Sequence, residues 1–394
     1  MANNLEVEMK IAIIGLGYVG TANGILLSKA HDIMAYDKDE EKVKKVNEGN
    51  IVLNGQDCEN YHELSKKSFK ASNSMQEVFE NAEYVIIAVS TDYKDSIQGL
   101  DTQNVEKTIW HAMKYNPSSK IIIKSTVPIG FTDRVRQVFK NNNIVYCPEF
   151  LRQASFIHDV YYPSRIIVGD MSNIGHNIYK LFASVIDKNV PVLYTSAMEA
   201  ESIKLFSNAY LALRVAYFNE IDTFSSFKGL RKDVLINGIC LDRRIGNYYN
   251  NPSFGYSGYC LPKDTKQLIK QFPSEMQSIF NAIVNANKKR IDFVVNEILS
   301  FGFEKVGIYV SNTDTDLSKD EVMMGIISML KTNRIKCDVF ISQKYSKQVD
   351  YNNKLKKFKK ECPLIIANRV SDELLDVKEK IYTKEIYSMS KCIS

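Results

Sequence analysis

Met9-Lys10-Ile11-Ala12-Ile13-Ile14-Gly15-Leu16-Gly17-Tyr18-Val19-Gly20 decides the fold of the first part of this chain. Met9 to Ile14 is a short, mostly apolar run that ends on a glycine turn, as a buried parallel strand does. Thr21 to Ala30 then predicts a helix and Asp32 to Tyr36 a second strand. In such a unit Gly15 permits the tight turn, Gly17 lets the backbone approach a pyrophosphate, and Gly20 lets helix and strand pack closely. The helix N-terminus offers N–H groups and the positive end of its dipole to phosphates. Asp37 ends the next strand about 20 residues on, where a carboxylate accepts from ribose hydroxyls and repels a 2′-phosphate. The spacing therefore favours NAD over NADP. The alternative is a glycine turn in another α/β fold, with Asp37 a surface residue.

Outward from this unit, Tyr84 to Val89, Lys120 to Lys124 and Ile144 to Tyr146 read as further strands separated by helices or loops. Such alternation predicts an α/β fold with a doubly wound parallel sheet. Ligands bind beyond the carboxyl ends of strands in such sheets, which places Thr91 and Thr126 beside the nicotinamide. As an alternative, either caps a helix. Ser196 to about Phe227 holds no proline or glycine, and Ile203, Phe206, Leu211, Leu213, Tyr217, Phe218 and Ile221 recur at roughly helical spacing. This predicts a long connecting helix, followed by a helical block to about residue 300. A second α/β unit follows, with strands at Lys305 to Val310, Lys336 to Ile341 and Pro363 to Ala367 and a helix at Glu321 to Lys331. The lysine-rich Gln343 to Lys360 reads as a solvated helix or loop. Three domains are expected: residues 1–195, 196–300 and 301–394.

The 394 residues carry a formal charge of only +5, which does not argue for nucleic acid. Seven scattered cysteines with no CxxC pair argue against a disulfide framework and a structural zinc site. No apolar run is long enough to span a bilayer. Met1 to Glu8 lack the apolar core of a signal peptide. A reducing cytoplasm is the expected compartment, and it suits a catalytic thiol.

One such thiol stands out. Phe254-Gly255-Tyr256-Ser257-Gly258-Tyr259-Cys260-Leu261-Pro262-Lys263-Asp264 sets Cys260 between a glycine-containing turn and a lysine–carboxylate pair. A thiolate there can hold an aldehyde covalently while it is oxidised. An inert buried cysteine is the alternative. Lys204 and Asn208 are spaced i, i+4 on the long helix and share a face. An ammonium and an amide there can stabilise an oxyanion.

These residues, with Lys124-Ser125-Thr126-Val127-Pro128, Cys147-Pro148-Glu149-Phe150-Leu151-Arg152, Glu201 to Asn208 and Asn250 to Tyr256, resemble the UDP-glucose/GDP-mannose dehydrogenase family, and its short bacterial members most of all. Order and spacing agree over about residues 9 to 310. The resemblance implies two Rossmann-like domains joined by a long central helix and a helical dimerisation region, the second holding UDP. It implies a homodimer and oxidation of UDP-glucose to UDP-glucuronate with two NAD reduced, for polysaccharide synthesis. No metal is expected.

By resemblance, Cys260 forms a thiohemiacetal and then a thioester, and Lys204 and Asn208 stabilise developing charge. Asp264 or Glu149 serves hydrolysis, with Thr126 holding the water. Gly15, Gly17, Tyr18, Val19, Gly20, Asp37, Lys42, Thr91, Thr126 and Lys263 are expected at the cofactor. Glu149, Phe150, Leu151, Arg152, Lys204, Asn208, Tyr249, Asn250, Asn251, Ser253 and Gly255 are expected at the sugar nucleotide, and Arg244 at the partner subunit's substrate. The chain departs from the family at Ser257, where glycine is usual, and at Gln153-Ala154, where Glu-Gly is usual. It also departs over Ser311 to Asp320, where Lys319 replaces an arginine and Asp314, Asp316 and Asp320 weaken an anion site. The alternatives are the same chemistry on a UDP-N-acetylhexosamine or GDP-mannose, and an NAD-binding paralogue without turnover.

Overall fold

The protein is described from a computed structural model, over residues 8–49, 68–186, 189–311, 317, 320–342 and 349–386. It forms two compact units, Met1–Phe206 and Ser207–Ser394.

The first unit is built on six parallel strands: β1 (Lys10–Ile14), β2 (Asp32–Tyr36), β3 (Phe69–Ser72), β4 (Tyr84–Ile87), β5 (Lys120–Ile123) and β6 (Ile144–Tyr146). Their spatial order is β3-β2-β1-β4-β5-β6. β1 pairs with β2 from Lys10 opposite Asp32 to Ile14 opposite Tyr36, and with β4 from Ile11 opposite Tyr84 to Ile14 opposite Ile87. Strand order reverses between β1 and β4, so the crevice beyond their carboxyl ends is the ligand position of this architecture.

Alternate strand residues feed two cores, which explains why these strands read as unbroken apolar runs. Ile11, Ile13, Ile86, Ile122 and Val145 pack with Ala22, Ile25, Leu26 and Phe182. Ala12, Ile14, Val85, Ile87, Ile121, Ile123 and Ile144 pack with Val105, Ile109 and Val135. A separate parallel pair, β7 (Ile166–Val168) with β8 (Val192–Tyr194), completes the strands that concern the site.

The second unit contains the helices Lys232–Cys240, Cys260–Lys270 and Ser278–Ser300, then β9 (Lys305–Val310), β10 (Lys336–Ile341), β11 (Ile365–Ala367) and β12 (Ile381–Tyr382). These four strands form a parallel sheet in the order β10-β9-β11-β12. Val306, Ile308, Val310 and Ile366 face the helices Ser278–Ser300 and Glu321–Thr332. Tyr309, Ile365 and Ala367 face Leu355 and Phe358 of the helix Val349–Glu361. The 349–360 part of the lysine-rich stretch is thus a helix with a buried seam and a solvated lysine face. Residues 343–348 lie outside the described residues.

The long helix runs Ala197–Lys228, within a residue of its predicted ends. Other elements shift. The first helix spans Tyr18–Leu27 rather than Thr21 to Ala30, because Gly17 with extended backbone is already its N-cap. β4 stops at Ile87 and β5 at Ile123, short of the predicted Val89 and Lys124. β3 went unpredicted because only Phe69 and Ala71 of its four residues are buried.

Candidate functional site

The glycine turn at the end of β1 has three distinct constraints. Gly15 has φ +101°, and a Cβ there would lie 2.7 Å from the Ala88 carbonyl oxygen. A Cβ on Gly20 would lie 1.8 Å from the Gly15 oxygen. A Cβ on Gly17 would meet nothing within 4 Å. Gly15 and Gly20 are small for the protein's own sake, whereas Gly17 borders open space. The helix beginning at Tyr18 has no side-chain cap, which leaves its leading N–H groups for an anion.

Asp37 follows β2 and is buried. It accepts from Leu16 N at 2.8 Å and Asp39 N at 3.0 Å, and Lys42 Nζ lies 3.7 Å away. A carboxylate has about four acceptor positions, so capacity remains for ribose hydroxyls. Open space over Gly17, a bare helix N-terminus and a fixed carboxylate fit a dinucleotide without a 2′-phosphate. Tyr18 OH accepts from Gln153 Nε2 at 2.5 Å, and its ring meets Phe156 edge-on. Thr91 does not cap a helix; its hydroxyl donates to the Thr126 carbonyl at 2.7 Å and ties the ends of β4 and β5 together. Thr126 itself is half-buried.

A second cluster of the same unit surrounds Glu149. Its Oε2 accepts from Asn23 at 3.2 Å and pairs with Lys124 at 3.3 Å, while Oε1 accepts from Phe150 N at 3.0 Å. Lys124 is buried, and its Nζ also lies 3.7 Å from Cys147 Sγ. Burial works against the Lys124 charge, but its neighbours win and hold the ammonium above its ordinary value. Burial pushes the Cys147 thiol up against the pull of Lys124. Cys147 is therefore a neutral thiol at pH 7, and Glu149 is the partner that matters to Lys124.

Lys204 Nζ donates to the Glu149 carbonyl and lies 5.1 Å from the centre of the Phe150 ring. Arg165 covers that ring at 3.9 Å. Leu151 packs against the first core. Arg152 grips Asp159 through two side-chain bonds of 2.9 and 2.7 Å and donates its amide to the same carboxylate. Burial pulls Asp159 up, yet Arg152 holds it below the usual carboxylate range.

The second unit carries Cys260. The thiol is exposed and opens the helix Cys260–Lys270, where the peptide dipoles favour negative charge. One turn on, Asp264 is sealed from solvent. Its Oδ2 accepts from Asn208 Nδ2 at 2.5 Å, and its Oδ1 pairs with Lys263 Nζ at 2.9 Å. Lys263 also lies over the Tyr259 ring at 5.0 Å. Gly258 has φ +80° while Ser257 is not among the left-handed residues, so the position that needs glycine retains it.

The preceding loop is held by side chains rather than by regular structure. Asn250 Nδ2 reaches Cys240 Sγ at 3.2 Å. Asn251 accepts from Ile386 N at 2.8 Å and donates to Glu385 at 3.3 Å. Ser253 N donates to Asn219 Oδ1 at 2.8 Å, and a Cβ on Gly255 would strike Asn287 Oδ1 at 2.7 Å. Tyr249 is partly exposed with φ +52°, and Arg244 is exposed in a pair with Asp242 at 2.6 Å.

The first unit thus gathers Glu149, Phe150 and Lys204, with Arg152 turned to Asp159. The second gathers Asn208, Lys263 and Asp264. Lys204 and Asn208 lie four residues apart on the continuous helix Ala197–Lys228. Of the altered downstream segment, residues 312–316 and 318–319 lie outside the described residues, Lys319, Asp314 and Asp316 among them. Asp320 is buried and caps the helix Glu321–Thr332 through Val322 N and Met323 N at 3.0 and 3.1 Å.

Sequence reasoning passed over Lys124, Asp222 and Arg290. Lys124 had a signal, a lysine closing an otherwise apolar strand. Asp222 on the long helix and Arg290 on the helix Ser278–Ser300 form a buried pair at 2.6 Å, and the spacing of neither helix hints at it.

Residues 9–185 match the UDP-glucose/GDP-mannose dehydrogenase family, NAD binding domain, and residues 198–289 match its central domain. A UDP-glucose 6-dehydrogenase of Streptococcus pneumoniae is 39% identical over 96% of this chain and 99% of its own length. One from Campylobacter jejuni is likewise 39% identical with the same coverage. Among solved structures, a UDP-glucose dehydrogenase from Pyrobaculum islandicum superposes with a TM-score of 0.85 at 20% identity, covering 99% of this chain and 96% of that one.

Proposed function

Because the chain belongs to the UDP-glucose/GDP-mannose dehydrogenase family, we propose that it oxidises C6 of UDP-glucose twice, to the carboxylate of UDP-glucuronate. The observation that carries the chemistry is Cys260, an exposed thiol at a helix N-terminus one turn from the anchored Asp264. Bound at the Gly15–Gly20 turn and Asp37, NAD supplies the hydride acceptor for each of the two oxidations. Lys204 and Asn208 stabilise negative charge at the C6 oxygen as its proton leaves. Cys260 then adds to the aldehyde carbon, and the carbonyl oxygen gains a proton, giving a thiohemiacetal. Loss of a second hydride and of that proton leaves a thioester on Cys260. Water attacks its carbonyl carbon, the C–S bond breaks, and the thiolate returns.

The base for that water is Glu149 in this reading. Its side chain is 14% exposed, while Asp264 has none exposed. A base must meet the water it activates. Asp264 serves instead to hold Asn208 and Lys263, and Thr126 helps to hold the water. The 149–152 and 249–255 segments contact the sugar nucleotide, and Arg244 reaches the partner subunit's substrate.

By the same reading, residues 1–195 are the cofactor domain, 196–300 the helical dimerisation region and 301–394 the UDP-holding domain. A homodimer is supported by Tyr210, Tyr217 and Phe224, exposed at seven-residue intervals on the long helix, with Val234 exposed on the next and Leu241 exposed at its C-cap. A reducing cytoplasm suits a working thiol. Among the described residues no helix is long and apolar enough to cross a membrane.

The test is NADH release from NAD and a panel of nucleotide sugars. Two NADH per UDP-glucose are expected; preference for a UDP-N-acetylhexosamine or GDP-mannose, or no turnover, would overturn the reading. A Cys260→Ser variant that completed the second oxidation at the wild-type rate would exclude the covalent route.

A further inference from the structure

We propose that Arg290 is a positioning residue for substrate, acting through the loop that leads to Cys260. This rests on the reading above. Arg290 lies on the helix Ser278–Ser300 and is 3% exposed. Nε and Nη2 both donate to the Ser253 carbonyl, at 3.0 and 2.9 Å. Nη1 donates to Thr223 Oγ1 at 2.8 Å and the Asn219 carbonyl at 3.3 Å, and Nη2 reaches Asp222 Oδ2 at 2.6 Å. These contacts use all five N–H donors of the guanidinium.

The grip falls on backbone with no ladder of its own. Ser253 N goes to Asn219, Phe254 N to Asn368 Oδ1 at 3.0 Å, and Tyr256 N to Asn287 Oδ1 at 2.8 Å. Irregular buried backbone persists only where each polar group finds a partner. Residues 253–256 are therefore set in one conformation before a sugar nucleotide arrives, which lowers the ordering cost of binding. Asp222 keeps the guanidinium aligned and is itself shared with Lys232 at 3.1 Å and Lys384 at 3.4 Å. Lysine at position 290 could still neutralise Asp222. Its single ammonium could not fork onto Ser253 and Thr223 together.

The experiment compares wild type with Arg290→Lys by steady-state kinetics and by amide hydrogen exchange over residues 250–260. The expected result is a rise in the UDP-glucose KM of about tenfold or more, from loss of preorganisation. The kcat and the NAD KM should stay within about twofold, as expected when binding shared by ground and transition states is lost. Amides 253–256 should lose protection. Unchanged KM, loop amides that stay protected, or a joint fall in kcat, both affinities and melting temperature would each overturn the proposal. If Arg290→Lys does not fold, Thr223→Val removes one acceptor and keeps the charge pair, and it should show the same pattern more weakly; its absence overturns the proposal. Should wild type oxidise another nucleotide sugar, the UDP-glucose assignment fails and the KM arm uses that sugar. Should it oxidise none, the functional reading fails, and exchange with UDP-glucose titration still decides the clamp.

Discussion

Alanine at Gly20 and alanine at Gly17 should fail in different ways, although both stand in one glycine turn. At Gly20 the new Cβ would lie 1.8 Å from the Gly15 carbonyl oxygen, against about 3.0 Å as the closest tolerable approach. The obstacle is backbone, so the helix Tyr18–Leu27 must retreat from β1 by about 1.2 Å, the difference between those distances. Overpacking of this kind costs about 1–3 kcal/mol. For a unit the size of Met1–Phe206 that lowers its Tm by about 2–12 °C. The same retreat carries the helix N-terminus off the pyrophosphate, and a displacement of about 1 Å can cost on the order of a hundredfold in rate. At Gly17 the Cβ meets no protein atom within 4 Å, so stability should be unchanged. In the proposed cofactor site it enters the space for the phosphates, and NAD affinity should fall by at least about tenfold, or about 1.4 kcal/mol. Thermal melts without cofactor, paired with NAD titrations by fluorescence, read both effects. Wild-type NAD affinity in Gly17→Ala, or wild-type stability in Gly20→Ala, would refute this account of the turn.

Asp37→Ser should narrow the NAD-over-NADP preference in kcat/KM by at least about tenfold, since it removes the charge that repels a 2′-phosphate; an unchanged ratio counts against Asp37 as the discriminator. Burial alone would raise the Asp222 carboxyl, but Arg290, Lys384 and Lys232 together hold it below the usual carboxylate range. A depressed folded pKa means stability that is present above the unfolded value and lost as pH falls through the folded one. Asp222→Asn should therefore destabilise by about 3–5 kcal/mol at pH 7, with the gap to wild type closing below the ordinary carboxylate range in a pH series of urea melts. The proposed homodimer predicts a dimer mass for wild type by light scattering and a monomer mass at the same concentration for Tyr217→Glu, which sets a charge in the middle of the exposed helix stripe; equal masses count against the stripe as the interface.

Legibility in the sequence followed the range of the interactions. β1, β4, β5 and β6 were readable because apolar runs between glycine and polar breaks have one good solution, a strand buried on both faces. The edge strand β3, with Phe69 and Ala71 alone turned inward, carries too little pattern. Cys260, Asp264, Lys204 and Asn208 were legible as motif residues, and the Asn208–Asp264 bond gives two of them a shared anchor. Their supports were not legible. Lys124 meets Glu149 across two strands 25 residues apart, and Arg290 meets Ser253 across 37. Such pairings depend on helix registry and crossing, which local periodicity does not encode. Asp320, read in the sequence by its charge alone, also has a structural task as a buried helix cap.

Burial also sorts the cysteines by reactivity. Cys147, Cys240 and Cys362 are buried, and burial raises the thiols of Cys147 and Cys362 and of the half-buried Cys337. Cys260 is the exposed one among the described cysteines. Brief alkylation of native protein should therefore mark the peptide that carries Cys260 ahead of these four. On the covalent route proposed above, the mass increment at that peptide then reports the fraction of molecules whose thiol is intact and reachable, which gives a count of active sites that needs no substrate.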